Sequence, residues 1–475
     1  MNKQNKGDET GVDFKSKFLS DAELAKEQLD SVSPSMCLAK WKQVSLHLTT
    51  GKTNSCYHPP LHDIDVKPLT FHPGALHNTA EKKQARKQML EGKRPDECSY
   101  CWNAEDNGQL SDRHYRSGEP WAAESFKEIV DAPWDQDVIP SYVEVNFNHN
   151  CNLRCSYCSP QYSTAWEKET DKHGSWPTST PHNDPKYFQG SRKPIPFKEH
   201  NPYVEAFWEW WPDLYPELKH FRMTGGEPLM DKNTYKVFDH VLANPKSDLH
   251  LSTTSNFSVS EKLWVKYLDY VKMICRDDNV EHFMQYVSVD AFGDKAEYIR
   301  DGLNFDLLWE RVNQFLTEVP ERSSITFIIT MNNLNVTSFG SILAGINGLR
   351  HVYSNTYQRV WFDTPLLRTP EWQSMQILPE SYCDQLELLW AWMLKWRETE
   401  ETRFKGFKDY EMQRLDRDIA WMRNGQKLDT KYLAQQKADF YKFFSEHDKR
   451  RGTDFLKIFP EMETWWKECE QHARK

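Results

Sequence analysis

The chain has no uninterrupted apolar run approaching the roughly 18 residues that a membrane-spanning helix needs. Its charged opening, Met1 to Ala25, lacks the apolar stretch of a signal peptide. Positive charge is in deficit: 60 Lys and Arg face 70 Asp and Glu, giving a net charge of -10. Wrapping nucleic acid usually calls for a basic face, so nucleic acid is disfavoured as a partner. A dense disulfide framework is also missing. Of ten cysteines, seven fall in ligand-like spacings, while Cys275, Cys383 and Cys469 are scattered as buried core residues would be. These absences predict a protein of a reducing cytoplasm with no membrane partner. What is present is length and aromatic mass. The 475 residues, with 19 Trp, allow two or three domains with sizeable cores despite a mean hydropathy of -0.80.

The most informative segment is Cys151-Asn-Leu-Arg-Cys155-Ser-Tyr-Cys158, a C-x3-C-x2-C loop directly after a strand-like run. Three thiolates can hold three corners of a cubane iron–sulfur cluster and leave the fourth iron open to other ligands. Cys151, Cys155 and Cys158 are therefore read as both metal ligands and catalytic residues.

Around this loop the chain alternates strand and helix six times. Predicted strands are 142–148, 219–224, 249–254, 286–290, 325–330 and 359–363; the helices between them are 203–211, 232–243, 261–271, 305–319 and 338–349. Repeated βα units predict an α/β fold with a parallel sheet. Residues 1–33 read as a polar lead-in and 34–110 as a cysteine-rich module. In that module Val44, Leu46 and Leu48 alternate before a Thr-Thr-Gly-Lys turn, and 78–92 reads as a basic helix with Asn78 as its cap. Residues 138–370 form the βα domain, interrupted by a polar insert at 159–200 with the length of a lid or a surface loop. Residues 371–475 form a helical extension, with Leu386, Leu388, Leu389, Trp392 and Leu394 as one packing cluster and Phe440, Phe443 and Phe444 as another.

The C-x3-C-x2-C loop and the motifs that follow it resemble the radical SAM superfamily. The resemblance implies a partial (β/α)6 TIM-like barrel, a [4Fe–4S] cluster and S-adenosylmethionine (SAM) as cofactor. It places Tyr157 near the adenine. Gly225-Gly226-Glu227, which ends the second strand, would meet the SAM amino group. Ser288 and Arg300, twelve residues apart, would hold its carboxylate. Asp290 would face the ribose or substrate, and Asn256 and Asn332 occupy places where relatives touch cofactor or substrate.

A second set opens with Cys37, thirteen residues, Gly51, four residues, Cys56, and closes with Cys98-x2-Cys101. It resembles the twitch module, the half-length form of SPASM, placed here ahead of the barrel. These four cysteines would ligate an auxiliary [4Fe–4S] cluster. A structural zinc site with four thiolates is the alternative, and His47, His58, His62, His72 and His77 lie close enough in sequence to complicate ligation.

The resemblance implies reductive cleavage of SAM to a 5′-deoxyadenosyl radical that takes hydrogen from a peptide, protein or small-molecule substrate. The auxiliary cluster would handle an electron, and a low-potential donor such as flavodoxin or ferredoxin would supply reducing power. The alternatives are a non-catalytic iron–sulfur or zinc protein that transfers electrons or binds a partner, and radical modification of RNA, which the acidic balance disfavours.

Overall fold

A computed structural model describes residues 14–180, 183–184, 186, 190 and 193–475, and the chain forms two compact units. The start of the lead-in (1–13) and part of the insert expected at 159–200 lie outside the described residues.

The first unit comprises Met1–His149, Pro194–Thr253 and Asp277–Phe283. Its strands are β1 (Gln43–His47), β2 (Lys52–Asn54), β3 (His62–Asp63), β4 (Tyr142–Asn146), β6 (His220–Thr224) and most of β7 (Lys246–Ser255); β5 (Arg154–Cys155) falls in the second unit. They pair in the order β3-β2-β1-β4-β6-β7. The first three are antiparallel, whereas β1, β4, β6 and β7 run parallel to one another. The expected hairpin is present, turning at Gly51 with φ +62°. A Cβ at Gly51 would also lie 2.1 Å from the Tyr203 ring, so close packing and positive φ both require glycine there.

Pleating gives this sheet two unlike faces. Val44, Leu46, Val143, Val145, Phe221 and Met223 are buried on one, against Phe207 and Trp211 of the helix Pro202–Glu217. That helix continues past the expected stop at Trp211 through Pro212 and Pro216; the burial of Trp210, Trp211, Leu214 and Tyr215 offsets the lost backbone bonds. The helix Ala80–Leu90 is capped by Thr79, whose hydroxyl accepts from Lys82 N, and not by Asn78. Asn78 instead holds the 138 backbone and the Arg86 guanidinium. The expected lead-in contains the helix Phe14–Asp30, in which Ala22, Ala25 and Leu29 are buried.

The second unit comprises Asn150–Lys193, Thr254–Arg276 and Met284–Lys475. It contains β5, the end of β8 (Val280–Ser288), β9 (Arg300–Asp301), β10 (Ser323–Ile328) and β11 (Val360–Asp363). β10 and β11 are parallel, and β5 pairs antiparallel with β9. The helices Glu261–Ile274, Phe305–Glu318 and Phe339–Tyr353 match the predicted segments to within a few residues.

Two expectations change here. The insert contains the helix Thr164–His173, whose Ser163 cap accepts from Trp166 N. Trp166 is fully buried, and Trp176 stacks on Phe443 at 4.1 Å. This part of the insert is a packed element; two tryptophans anchor an otherwise polar stretch. On the helix Ser381–Lys395, Leu386 and Met393 are buried seven residues apart, whereas Leu388 is 73% exposed and Leu394 is exposed. The apolar cluster read from sequence therefore spans more than one helix face. Phe440, Phe443 and Phe444 are fully buried, as are Cys275, Cys383 and Cys469. No helix among the described residues is long and apolar enough to cross a membrane.

His447 is buried in the second unit beside Tyr298, Phe443 and Phe444. Burial pushes its pKa down to about 4, against the pull of Asp448 at 3.8 Å. The unfolded value, about 6.5, is higher, so the unfolded chain takes up the proton first. The stabilisation is complete above pH 6.5 and is lost as pH falls towards about 4. Between pH 7.5 and 5 the neutral imidazole is expected to account for about 2 kcal/mol of lost stability. Urea titrations of His447→Leu should show a correspondingly flatter pH dependence; an unchanged slope would show that His447 is not held neutral.

Candidate functional site

The loop carrying Cys151, Cys155 and Cys158 is fixed by its backbone. β5 and β9 place Cys155 directly opposite Arg300 in register. Ser156 N donates to Ile299 O at 2.8 Å and Cys158 N to Cys155 O at 2.9 Å. Trp166 Nε1 donates to Cys155 O, and Ser163 Oγ to Leu153 O. Gln373 makes two bonds to Ser156, donating to its carbonyl at 2.9 Å and accepting from its hydroxyl at 2.8 Å. With these partners satisfied, the loop is held as a rigid turn.

Arg300 is the charge centre of this loop. It is 6% exposed, and Asp290 is fully buried. Its Nε lies 2.9 Å from Asp290 Oδ2, and its Nη2 donates to Asp290 Oδ1 at 3.1 Å and to the Tyr157 hydroxyl at 2.7 Å. Tyr157 in turn donates to Asp290 Oδ2, and Thr330 N donates to Oδ1. The Nη1 of Arg300 donates to Cys155 Sγ at 3.5 Å. Burial raises the pKa of the Cys155 thiol, and Arg300 opposes that rise. Burial also takes Cys158 up to about 12. Asn256 Nδ2 lies 3.8 Å from Cys151 Sγ.

The other expected residues are held by local bonds. Ser288 ends β8 and is half-buried. Asn332 is a turn residue: its side-chain oxygen accepts from Leu334 N and Asn335 N, and its amide donates to Thr330 O. Gly225, Gly226 and Glu227 belong to the first unit. Gly225 has φ +121°, and a Cβ there would lie 2.4 Å from Asn146 Oδ1. Gly226 N donates to Asn148 O, and the buried Glu227 accepts from Leu229 N.

The first unit also gathers the second cysteine set. Cys37, Cys56, Cys98 and Cys101 line one cavity together with Lys40, Met89, Trp102 and Arg113. They arrive from the turn before the helix Ala39–Lys42, the segment after β2, and the start of the helix Ser99–Asp106. Burial drives the thiols up, to about 12 for Cys56, about 11 for Cys98 and about 12 for Cys101. The Lys40 ammonium opposes that rise at Cys56 and Cys98. Among the nearby histidines, His58 lines the cavity, stacked on Tyr100 at 3.7 Å, while His62 bonds Thr79 and His77 bonds Trp41 O. Among the described residues, no three His, Cys, Asp or Glu are gathered closely enough to hold a single metal ion.

Sequence reading missed Gln373, Trp166 and Lys40. Gln373 lies 217 positions from the residue it holds, and nothing in its neighbourhood marks it. Lys40 could have been noticed as a lysine within an otherwise apolar stretch three residues after Cys37.

No protein-family profile and no curated protein matches the chain. Among solved structures it is similar to Streptococcus suis SuiB bound to S-adenosylmethionine, at 12% identity and TM-score 0.34, covering 74% of this chain and 69% of that one. It is also similar to SuiB bound to precursor peptide SuiA, at 12% identity and TM-score 0.30, covering 75% and 68%. A likeness at this level assigns neither family nor reaction.

Removing Asp290 strands a buried guanidinium. Asp290→Ala is expected to destabilise the protein by about 3–5 kcal/mol, and Arg300→Met by less, because a stranded carboxylate can take up a proton whereas a stranded guanidinium cannot lose one. Urea unfolding measures both. Equal stability of Asp290→Ala and the parent would rule out the buried pair.

Proposed function

We propose that the chain is a radical SAM enzyme acting on a peptide or protein side chain, with Cys151, Cys155 and Cys158 as ligands of the SAM-binding [4Fe–4S] cluster. The observation that carries this reading is the register of Cys155 against Arg300, which sets a buried cation beside the middle thiolate of a C-x3-C-x2-C loop. The donor set fits the group: three thiols on one backbone-pinned loop, Cys155 buried and the other two half-buried, with a permanent positive charge to offset the thiolates. When bound, the cluster and SAM supply the electron and the 5′-deoxyadenosyl radical that removes hydrogen from substrate.

The chain's own groups do the holding. Arg300, its fork engaged by Asp290 and Tyr157, is assigned to Cys155 and not to the SAM carboxylate, a change from the role its spacing implied. Ser288 is assigned to that carboxylate and Glu227 to the amino group, where a carboxylate suits an ammonium. Trp166 and Gln373 keep the loop's peptide groups paired and away from water. The parallel strands would form a partial (β/α)6 barrel. Cys37, Cys56, Cys98 and Cys101 are assigned to an auxiliary [4Fe–4S] cluster in a twitch-like module; the all-thiol donor set and the buried Lys40 ammonium in the same cavity wall support this. A flavodoxin or ferredoxin would supply electrons, in a cytoplasmic setting.

Anaerobic reconstitution tests the proposal. Two cubanes correspond to about eight irons per chain, and adding a strong reductant and SAM should release 5′-deoxyadenosine. Cys155→Ala should abolish the nucleoside. Cys98→Ala should lose about half the iron while retaining SAM cleavage. Protein that stays colourless and free of iron would defeat the reading, and zinc bound at the four-cysteine set would defeat its auxiliary part alone.

A further inference from the structure

The wall of the four-cysteine cavity contains a buried cation that the proposed reaction does not call upon. Lys40 lies on the short helix Ala39–Lys42, and its side chain is 2% exposed. It pairs with Glu97 and lines the cavity beside Cys37, Cys56, Cys98 and Cys101.

The neighbouring cations are committed elsewhere. Arg113 holds Glu105 through Nε at 2.8 Å and Nη2 at 2.9 Å, and donates to Met36 O and Pro34 O. Arg116 pairs with Glu119 at 2.7 Å. An ammonium has three N–H donors, and here the Glu97 carboxylate accepts from one. A leucine or methionine would fill the same space without the penalty of burying a charge. The lysine is therefore placed for the negative charge that four thiolates would bring.

We propose that Lys40 tunes the auxiliary cluster: its charge, held in the wall of the four-cysteine cavity by Glu97, makes the cluster easier to reduce by one electron. This rests on the reading of the four cysteines as an iron–sulfur site. Four thiolates around a cubane leave net negative charge, and reduction adds to it. A fixed cation in a low-dielectric wall favours the reduced form. Glu97 offsets part of that effect, so the Lys40–Glu97 pair sets the balance.

The test uses the full chain with Cys151, Cys155 and Cys158 replaced by alanine, so that one cluster is observed, reconstituted anaerobically and titrated with Ti(III) citrate under electron paramagnetic resonance. Lys40→Met should disfavour reduction at least tenfold, which for a one-electron couple is about 59 mV towards negative potential. Lys40→Arg should stay near the parent. Full iron in Lys40→Met with an unmoved potential would overturn the proposal. Should Lys40→Met fail to fold or load iron, Glu97→Gln decides: it should move the potential positive, and no movement would count against the proposal equally. A parent protein that takes up no iron at this site would instead remove the auxiliary-cluster reading, and the inference with it.

Discussion

The buried Arg300–Asp290 pair is the constraint on which the second unit's cysteine loop depends. A guanidinium at 6% exposure must be matched by a carboxylate, and Asp290 supplies both oxygens. Because Tyr157 bonds the same two partners, its ring position follows from theirs. The short β5–β9 ladder then brings Cys155 against the cation. One charge pair thus fixes the middle cysteine and the aromatic residue before the third, which are the positions a cluster-binding loop has to hold still.

The two cysteine sets are built differently. Cys151, Cys155 and Cys158 lie within eight residues, so the partners that fix this set act on one short segment. The set of Cys37, Cys56, Cys98 and Cys101 spans a hairpin and two helices, and its geometry exists only once that module has folded. The glycine in its motif illustrates the difference. Gly51 combines a left-handed turn with contact against Tyr203, and both demands arise from the fold around the cysteines, not from ligation.

Much of this was legible in the sequence because period and punctuation agreed. The helix 232–243 has the predicted bounds, and the alternation of Val44, Leu46 and Leu48 gave the hairpin. The failures have physical sources. The insert's polarity concealed Trp166 and Trp176, since two large anchors can hold a stretch whose average hydropathy is low. Leu388 and Leu394 counted as core by composition but lie off the stripe of Leu386 and Met393. Arg300 was found by its spacing, yet its partner could not be, because Asp290 is equally well placed in sequence to face a ligand.

The first unit's sheet carries the remaining lesson. Parallel strands are usually apolar on both faces, but here Gln43, Ser45, Tyr142, Glu144, Asn146, His220 and Arg222 share the face opposite the helices. Alternation of this kind normally signals a strand open to water, yet Gln43, Ser45 and Asn146 are 0%, 3% and 2% exposed. Polar groups kept from water need partners. Others on this face have them: Glu144 lies 3.4 Å from Arg222, Tyr142 bonds Tyr57 at 2.8 Å, and His220 stacks on Tyr142 and His250, whereas among the described residues the Gln43 amide, the Ser45 hydroxyl and Asn146 Oδ1 find none. Tyr57 follows Cys56 and lines the four-cysteine cavity, so the hydroxyl pair joins that cavity to the sheet's polar face. A sheet built for stability alone would have filled that face with Val and Ile.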